Sequence, residues 1–326
     1  MPVLCLPGLM RNSKDFETIA PWLAQKRRVI SVDFRGRGLS QYAKDSASYR
    51  PDIELGDAIA LLNFLNVDRV AVLGTSRGGI VGMLMAALHR DRVAGLFLND
   101  IGPEIEPAGL LRIRRYLGVQ VEFDSWDAAI VGLKSNSSGF ESLTAGDWQA
   151  FARRVFKIVN GLPRLDHDMA LATTFPPVEE IAAGRIAPLW EIFACTAGLP
   201  VSVLRGEHSD LLSSETVEAM KQRNGRALLA LSESQILHSP NLPLPGSSRQ
   251  PIANSSTEPS HTMGRRNKTG DDNDGVEECF NEKLNRSKLD ATTVLSRGHA
   301  PFLDEAEAKD AILRWLERVD ANEMGR

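Results

Sequence analysis

Six short apolar runs punctuate this chain of 326 residues, and the helical patterns between them limit its fold more than any other feature. The runs are residues 2–6, Val29–Val32, Val70–Leu73, Val93–Leu98, Val201–Leu204 and Thr292–Leu295. Apolar runs of this length, stopped by Gly or Pro signals such as Pro7-Gly8, read as buried strands. Between the first two, Phe16, Ile19, Ala20, Trp22 and Leu23 recur at helical spacing, with Asn12 or Ser13 as an N-cap. Further helices are expected over Ile53–Leu65, Arg77–His89 and Glu305–Val319. Strands alternating with helices imply right-handed crossovers and a mostly parallel sheet covered on both faces, so the class is α/β.

Two stretches break the alternation. From residue 101 to 199 helical periods dominate, over Trp126–Leu133, Trp148–Val159 and Ile181–Phe193, with no clear strand. This stretch reads as a helical cap on a core formed by 1–100 and 200–326. Residues 232–289 carry five prolines, many Ser, Asn and Asp, and clusters such as Arg265-Arg266. Such a composition buries too little apolar surface to offset the entropy of ordering, so a disordered insertion is expected there, in preference to a functional arm. No internal repeat is visible.

Composition removes several classes of function. The formal charge is −4, with 43% apolar and 25% charged residues. No basic excess is available to neutralise nucleic acid or an anionic membrane surface. No run approaches the roughly 18 apolar residues of a membrane span, and the N-terminus lacks a signal-peptide pattern. Cys5, Cys195 and Cys279 lie far apart, so neither a disulfide framework nor a metal or redox CxxC motif is available. A soluble cytoplasmic protein, monomer or homodimer, without metal or cofactor, is the expectation.

The chemistry concentrates at Gly74-Thr75-Ser76-Arg77-Gly78-Gly79, which follows one expected strand and opens one expected helix. A serine on such a turn points its hydroxyl outward, and glycines are required where backbone packs on backbone. The helix behind it directs N–H groups and its positive dipole end at any oxyanion formed there. A serine hydroxyl needs a base, and the base an orienting group. Of six histidines, His89 ends the helix that starts at the turn, His167 lies in the cap, and His238 and His261 lie in the low-complexity segment. His208 reads as a solvated loop residue. His299, directly after the last strand, reaches the same sheet edge as Ser76. For the carboxylate, Asp210 after Val201–Leu204 is preferred, with Asp100 and Glu207 as alternatives, given the chain order Ser, Asp, His. The oxyanion donors expected are the amides of Leu9, beside Gly8, and of Arg77.

At these residues the chain resembles the α/β-hydrolase superfamily, in particular its small bacterial-type esterases and lactonase-like members. Pro7-Gly8-Leu9 is similar to the family's oxyanion turn, with proline where histidine is usual. Asp33-Phe34-Arg35-Gly36-Arg37-Gly38-Leu39-Ser40 resembles a structural family segment, and Gly74–Gly79 resembles the nucleophile elbow. The resemblance covers residues 2 to about 225 and 291 to 320. It implies that two strands usual in the family, ahead of Val3, are absent, and it marks 232–289 as foreign to the pattern.

The function implied is hydrolysis of a small-molecule ester, thioester or lactone. Ser76 attacks, His299 is the base and Asp210 the acid. A carbon–carbon bond hydrolase using the same triad, and a ligand-binding member without turnover, are the alternatives. Trp126, Phe140, Trp148, Phe151, Phe156, Phe175, Trp190 and Phe193 are candidates for an apolar pocket wall, although most suit a core. Arg77 suits either a substrate carboxylate or the surface.

Overall fold

The computed structural model describes residues 1–231 and 289–326. The insertion expected over 232–289 therefore lies, apart from Leu289, outside the described residues. Each of the six apolar runs forms a strand: β1 (Val3–Leu6), β2 (Val29–Ser31), β3 (Val70–Thr75), β4 (Val93–Asn99), and two later ones described below. The early helices are α1 (Ile19–Ala24), α2 (Pro51–Phe64) and α3 (Arg77–Leu88). The cap expected of Asn12 or Ser13 for the first helix falls instead on a separate 3-10 turn over Ser13–Phe16, where the Asn12 side chain accepts from the Lys14 amide, and α1 has Thr18 at its N-cap without a side-chain bond.

The segment between 101 and 199 departs from an all-helical reading. It holds α4 (Pro107–Tyr116), α5 (Trp126–Ser135) and α6 (Ala145–Val155), then a hairpin of β5 (Phe156–Val159) and β6 (Leu162–Leu165). The helix expected over Trp148–Val159 thus ends at Val155. Asn160 and Gly161 close the hairpin with φ of 52° and 80°, the geometry of a two-residue turn that matches strand twist. The helix expected over Ile181–Phe193 is likewise two short ones, α7 (Val178–Ala182) and α8 (Trp190–Ala194). Gly184, at φ 64°, and Pro188 lie between them. Thereafter come β7 (Val201–Gly206), α9 (Ser214–Leu231), β8 (Asp290–Val294) and α10 (Ala306–Met324).

All pairings in the main sheet are parallel, in the order β2-β1-β3-β4-β7-β8. Side chains along each central strand alternate between two cores. Leu4, Leu6, Val72, Leu96 and Leu98 face the layer that includes Leu62, Val81 and Leu84. Val3, Cys5, Ala71, Leu73 and Phe97 face Ile312, Trp315 and Leu316 of α10. Burial on both faces is why these strands are continuous apolar runs without a polar alternation. Trp315 sets its ring edge-on to Phe97 at 5.4 Å and donates its indole N–H to the Pro200 carbonyl at 3.1 Å.

The chain starts in β1, steps to β2 on one side, then crosses to β3 and proceeds outward the other way. The reversal lies between β1 and β3. In open α/β sheets the carboxyl ends of the strands flanking such a reversal diverge and leave a crevice. Here those ends carry Pro7-Gly8-Leu9 and Ser76.

Candidate active site

Ser76 stands between β3 and α3 with φ 49° and ψ −114°, a left-handed backbone that a serine adopts only under constraint. The constraint is close backbone packing. A Cβ on Gly78 would sit 2.1 Å from the Leu6 carbonyl oxygen, and one on Gly74 would sit 2.5 Å from the Gly78 oxygen. The Ser76 amide donates to the Asn99 carbonyl at 3.0 Å, and the Ser76 carbonyl accepts from the Gly79 amide at 2.9 Å. The side chain makes no capping bond to α3 and faces a cavity of about 490 Å3.

His299 lines the same cavity. Its Nδ1 meets Asp100 Oδ2 at 2.6 Å, which leaves Nε2 on the opposite side of the ring. Asp100 follows β4 directly, in a left-handed conformation of its own (φ 54°), and is fully buried. Its Oδ1 accepts from the Gly206 amide at 2.9 Å, and its Oδ2 also accepts from Ser209 Oγ at 2.6 Å. These bonds hold the carboxylate where one donor remains to be supplied, and His299 supplies it.

Asp210, the carboxylate preferred on sequence grounds, is elsewhere. It receives two bonds from Arg112 of α4, Nε to Oδ2 at 2.5 Å and Nη2 to Oδ1 at 2.8 Å. Burial opposes its ionisation, yet the Arg112 guanidinium, aided by His299, holds the carboxyl below the usual range. Glu207 is also off the histidine, accepting from the Ser296 amide at 2.9 Å. The structure thus brings Ser76, His299 and Asp100 to one place and leaves Asp210 on Arg112. α4 decides this; it lies in the stretch expected to be helical but outside the three helices placed there from the sequence, although Pro107 at its first turn and Arg114-Arg115 at its last are helix-end signals.

Two loops frame the serine, and one buried carboxylate ties them together. Glu54 Oε2 accepts from Arg77 Nε at 2.7 Å, while Glu54 Oε1 lies 2.8 Å from Arg37 Nη1. Arg37 in turn donates from Nε to the Leu9 carbonyl at 2.7 Å and from Nη1 to the Arg35 carbonyl at 2.7 Å. Arg37 and Glu54 are both fully buried. The Arg77 side chain therefore points into the protein, towards Glu54 and the Tyr49 carbonyl, and serves neither a substrate nor the surface. Its amide, at the first position of α3, has no intrahelical acceptor. The Gly8 carbonyl accepts from the Arg11 amide at 3.1 Å, and in a trans peptide the Leu9 N–H points the opposite way.

The far wall of the cavity comes from α4 to α6 and the β5–β6 hairpin, including Ile113, Leu133, Phe140, Phe151, Phe156 and Leu165. Of the aromatic candidates only Phe140, Phe151 and Phe156 line it, joined by Phe123 and Phe302. Trp126, Trp148, Phe175, Trp190 and Phe193 pack elsewhere. His167 lines the cavity as well. Burial, with Arg37 nearby, pushes its imidazole down to about 4, so the ring is neutral at pH 7. His208 is more than half exposed beside Glu207, as a solvated loop residue should be. No helix among the described residues is long and apolar enough to cross a membrane.

Similarity to known proteins points the same way as the geometry. Residues 1–130 match a family described as alpha/beta hydrolase fold. The chain is 36% identical over 244 residues to the 3-hydroxybutyrate-oligomer hydrolase of Cupriavidus necator, covering 73% of this chain and 82% of that protein. A crystal structure of an alpha/beta hydrolase from Novosphingobium aromaticivorans superposes with a TM-score of 0.71 at 33% identity, covering 97% of this chain and 89% of the other. A putative hydrolase from Rickettsia typhi shares the fold with a TM-score of 0.69 at 23% identity, covering 97% and 86%. This chain belongs to the alpha/beta hydrolase family.

Proposed function

We propose that this hydrolase cleaves a small carboxylic ester through an acyl-enzyme on Ser76, with His299 as general base and Asp100 as the orienting acid. One observation carries the reading: His299 is fixed by Nδ1 on a buried, triply bonded carboxylate and shares a cavity with an uncapped serine hydroxyl. The His299 Nε2 takes the Ser76 proton as Oγ attacks the acyl carbon. The oxyanion is met by the amides of Leu9 and Arg77, whose loops Glu54 and Arg37 brace. The alcohol leaves with the proton from His299. Water, deprotonated by the same ring, then releases the acid. No hydrogen bond joins Ser76 to His299 among the described residues, in keeping with catalytic contacts that tighten only around substrate.

The cavity volume, about 490 Å3, suits a small molecule and not a polymer chain end to end. Together with the relative named for hydrolysing 3-hydroxybutyrate oligomers, it supports short oligoesters of hydroxy acids as substrates. The segment α4–β6 acts as the cap that closes over them.

The test is covalent labelling with a fluorophosphonate, alongside turnover of p-nitrophenyl butyrate, a 3-hydroxybutyrate dimer and a vinylogous diketone. Labelling at Ser76 and ester turnover that both vanish in Ser76→Ala, with turnover also lost in His299→Ala, are expected. Labelling that persists in Ser76→Ala, or turnover of the diketone alone, would overturn the ester reading.

A further inference from the structure

Four arginines line the cavity that holds Ser76: Arg11, Arg112, Arg115 and Arg154. Arg11 is engaged by Asp15 through Nε at 2.9 and 3.1 Å and through a close Nη2 contact. Arg112 is engaged by Asp210. Arg115 is exposed, and a solvated guanidinium gains little from a ligand that must first strip its water. Arg154 differs from all three.

Arg154, on α6, is 7% exposed yet donates no hydrogen bond among the described residues. The nearest acidic oxygen, Asp304 Oδ2, is 3.7 Å from Nη2, beyond hydrogen-bond reach. The guanidinium instead lies over the Phe302 ring, 5.5 Å from its centroid. The residue lines the cavity that holds Ser76. A buried guanidinium with one long ion pair, a ring beneath it and no hydrogen-bonded acceptor keeps five donors that a ligand can complete. Its planar fork matches a carboxylate, and the aromatic ring behind it holds that plane in place.

We propose that Arg154 anchors a free carboxylate on the substrate, so that this enzyme prefers esters carrying an acid group remote from the scissile carbonyl. The inference rests on the ester-hydrolase reading and narrows it: the acyl chain spans from Ser76 to Arg154 across the apolar wall formed by Phe140, Phe151 and Phe302. A hydroxy-acid oligoester, with its free acid end, has the required shape. So does the monoester of an α,ω-diacid.

The test compares mono-p-nitrophenyl esters of C5 to C8 α,ω-diacids with p-nitrophenyl esters of the length-matched monoacids. At the best chain length kcat/KM should favour the acid ester by about tenfold or more, the order expected of one charge-assisted pair. In Arg154→Gln that ratio should fall towards one, chiefly through KM, with partial recovery in Arg154→Lys. A ratio near one in the wild type overturns the proposal. So does an equal loss on both esters in Arg154→Gln, which would mark a purely structural role. Calorimetric binding of monomethyl glutarate to Ser76→Ala separates this proposal from the catalytic one. Binding that weakens about tenfold when Arg154→Gln is added supports the anchor even if no ester is turned over, and binding indifferent to that change sinks it.

Discussion

Three donors converge on the Asp100 carboxylate, and only one of them is a side chain that moves a proton in the proposed mechanism. The Gly206 amide and Ser209 hydroxyl fix the oxygens, so that Asp100 selects the His299 tautomer with its proton on Nδ1 and its lone pair on Nε2. Replacing Asp100 by Asn keeps the shape but favours the wrong tautomer. Ester turnover by Asp100→Asn should fall by about 10³-fold or more, while Asp210→Asn, whose side chain bonds to Arg112 and not to His299, should lose less than about tenfold. Comparable kcat values for the two variants would return the acid role to Asp210. Chain order, the ground for preferring Asp210 in the sequence, does not separate the two carboxylates, since each follows a strand at the correct edge and each satisfies the order Ser, Asp, His. What separates them is Arg112, a residue whose helix has to be known before its reach can be.

Elements translate these side-chain demands into backbone geometry. Gly78 lets the first turn of α3 rest on the end of β1, so Gly78→Ala should lower the melting temperature sharply and remove fluorophosphonate labelling together. Preserved labelling in a stably folded Gly78→Ala would show that the elbow tolerates displacement. Glu54 of α2 braces the Leu9 loop through Arg37 and the start of α3 through Arg77. Glu54→Gln leaves two guanidiniums without their counter-charge, one of them fully buried, and should destabilise the fold by about 3 kcal/mol in urea titrations. A change below about 1 kcal/mol would mean that the loops are held by packing alone. The main strands are legible in the sequence because burial on both faces makes each of them a bounded apolar run. The elements from 101 to 199 are less so. There one-sided burial, a 3-10 turn at Met169–Thr174 and the Asn160-Gly161 turn interrupt any single period, although Asn-Gly between apolar residues is itself a hairpin signal.

For the whole molecule, one buried imidazole makes stability depend on acid. His167 is neutral in the native state, with its pKa pushed down to about 4, whereas in the unfolded chain it titrates near 6.5. Between about 4 and 6.5 the unfolded state therefore binds up to one more proton than the native state. His167 thus costs stability progressively as pH falls from about 6.5 to 4, up to roughly 3 kcal/mol. Urea titrations at pH 7 and 4.5 should differ by about 2 kcal/mol more in the wild type than in His167→Gln. An equal difference would show that the ring is already protonated in the native protein.

The parallel sheet carries a further consequence, which is one of timing. Ser76, Asp100, Leu9 and Arg77 all lie within the first 100 residues, just past the ends of β1, β3 and β4, while His299 arrives in the loop after β8, at the opposite edge from β2. During synthesis the proposed nucleophile and its acid are therefore laid down long before the proposed base. A nascent chain that has not yet added β8 and docked Trp315 against Phe97 holds Ser76 and Asp100 without the imidazole that meets Asp100 in the finished fold.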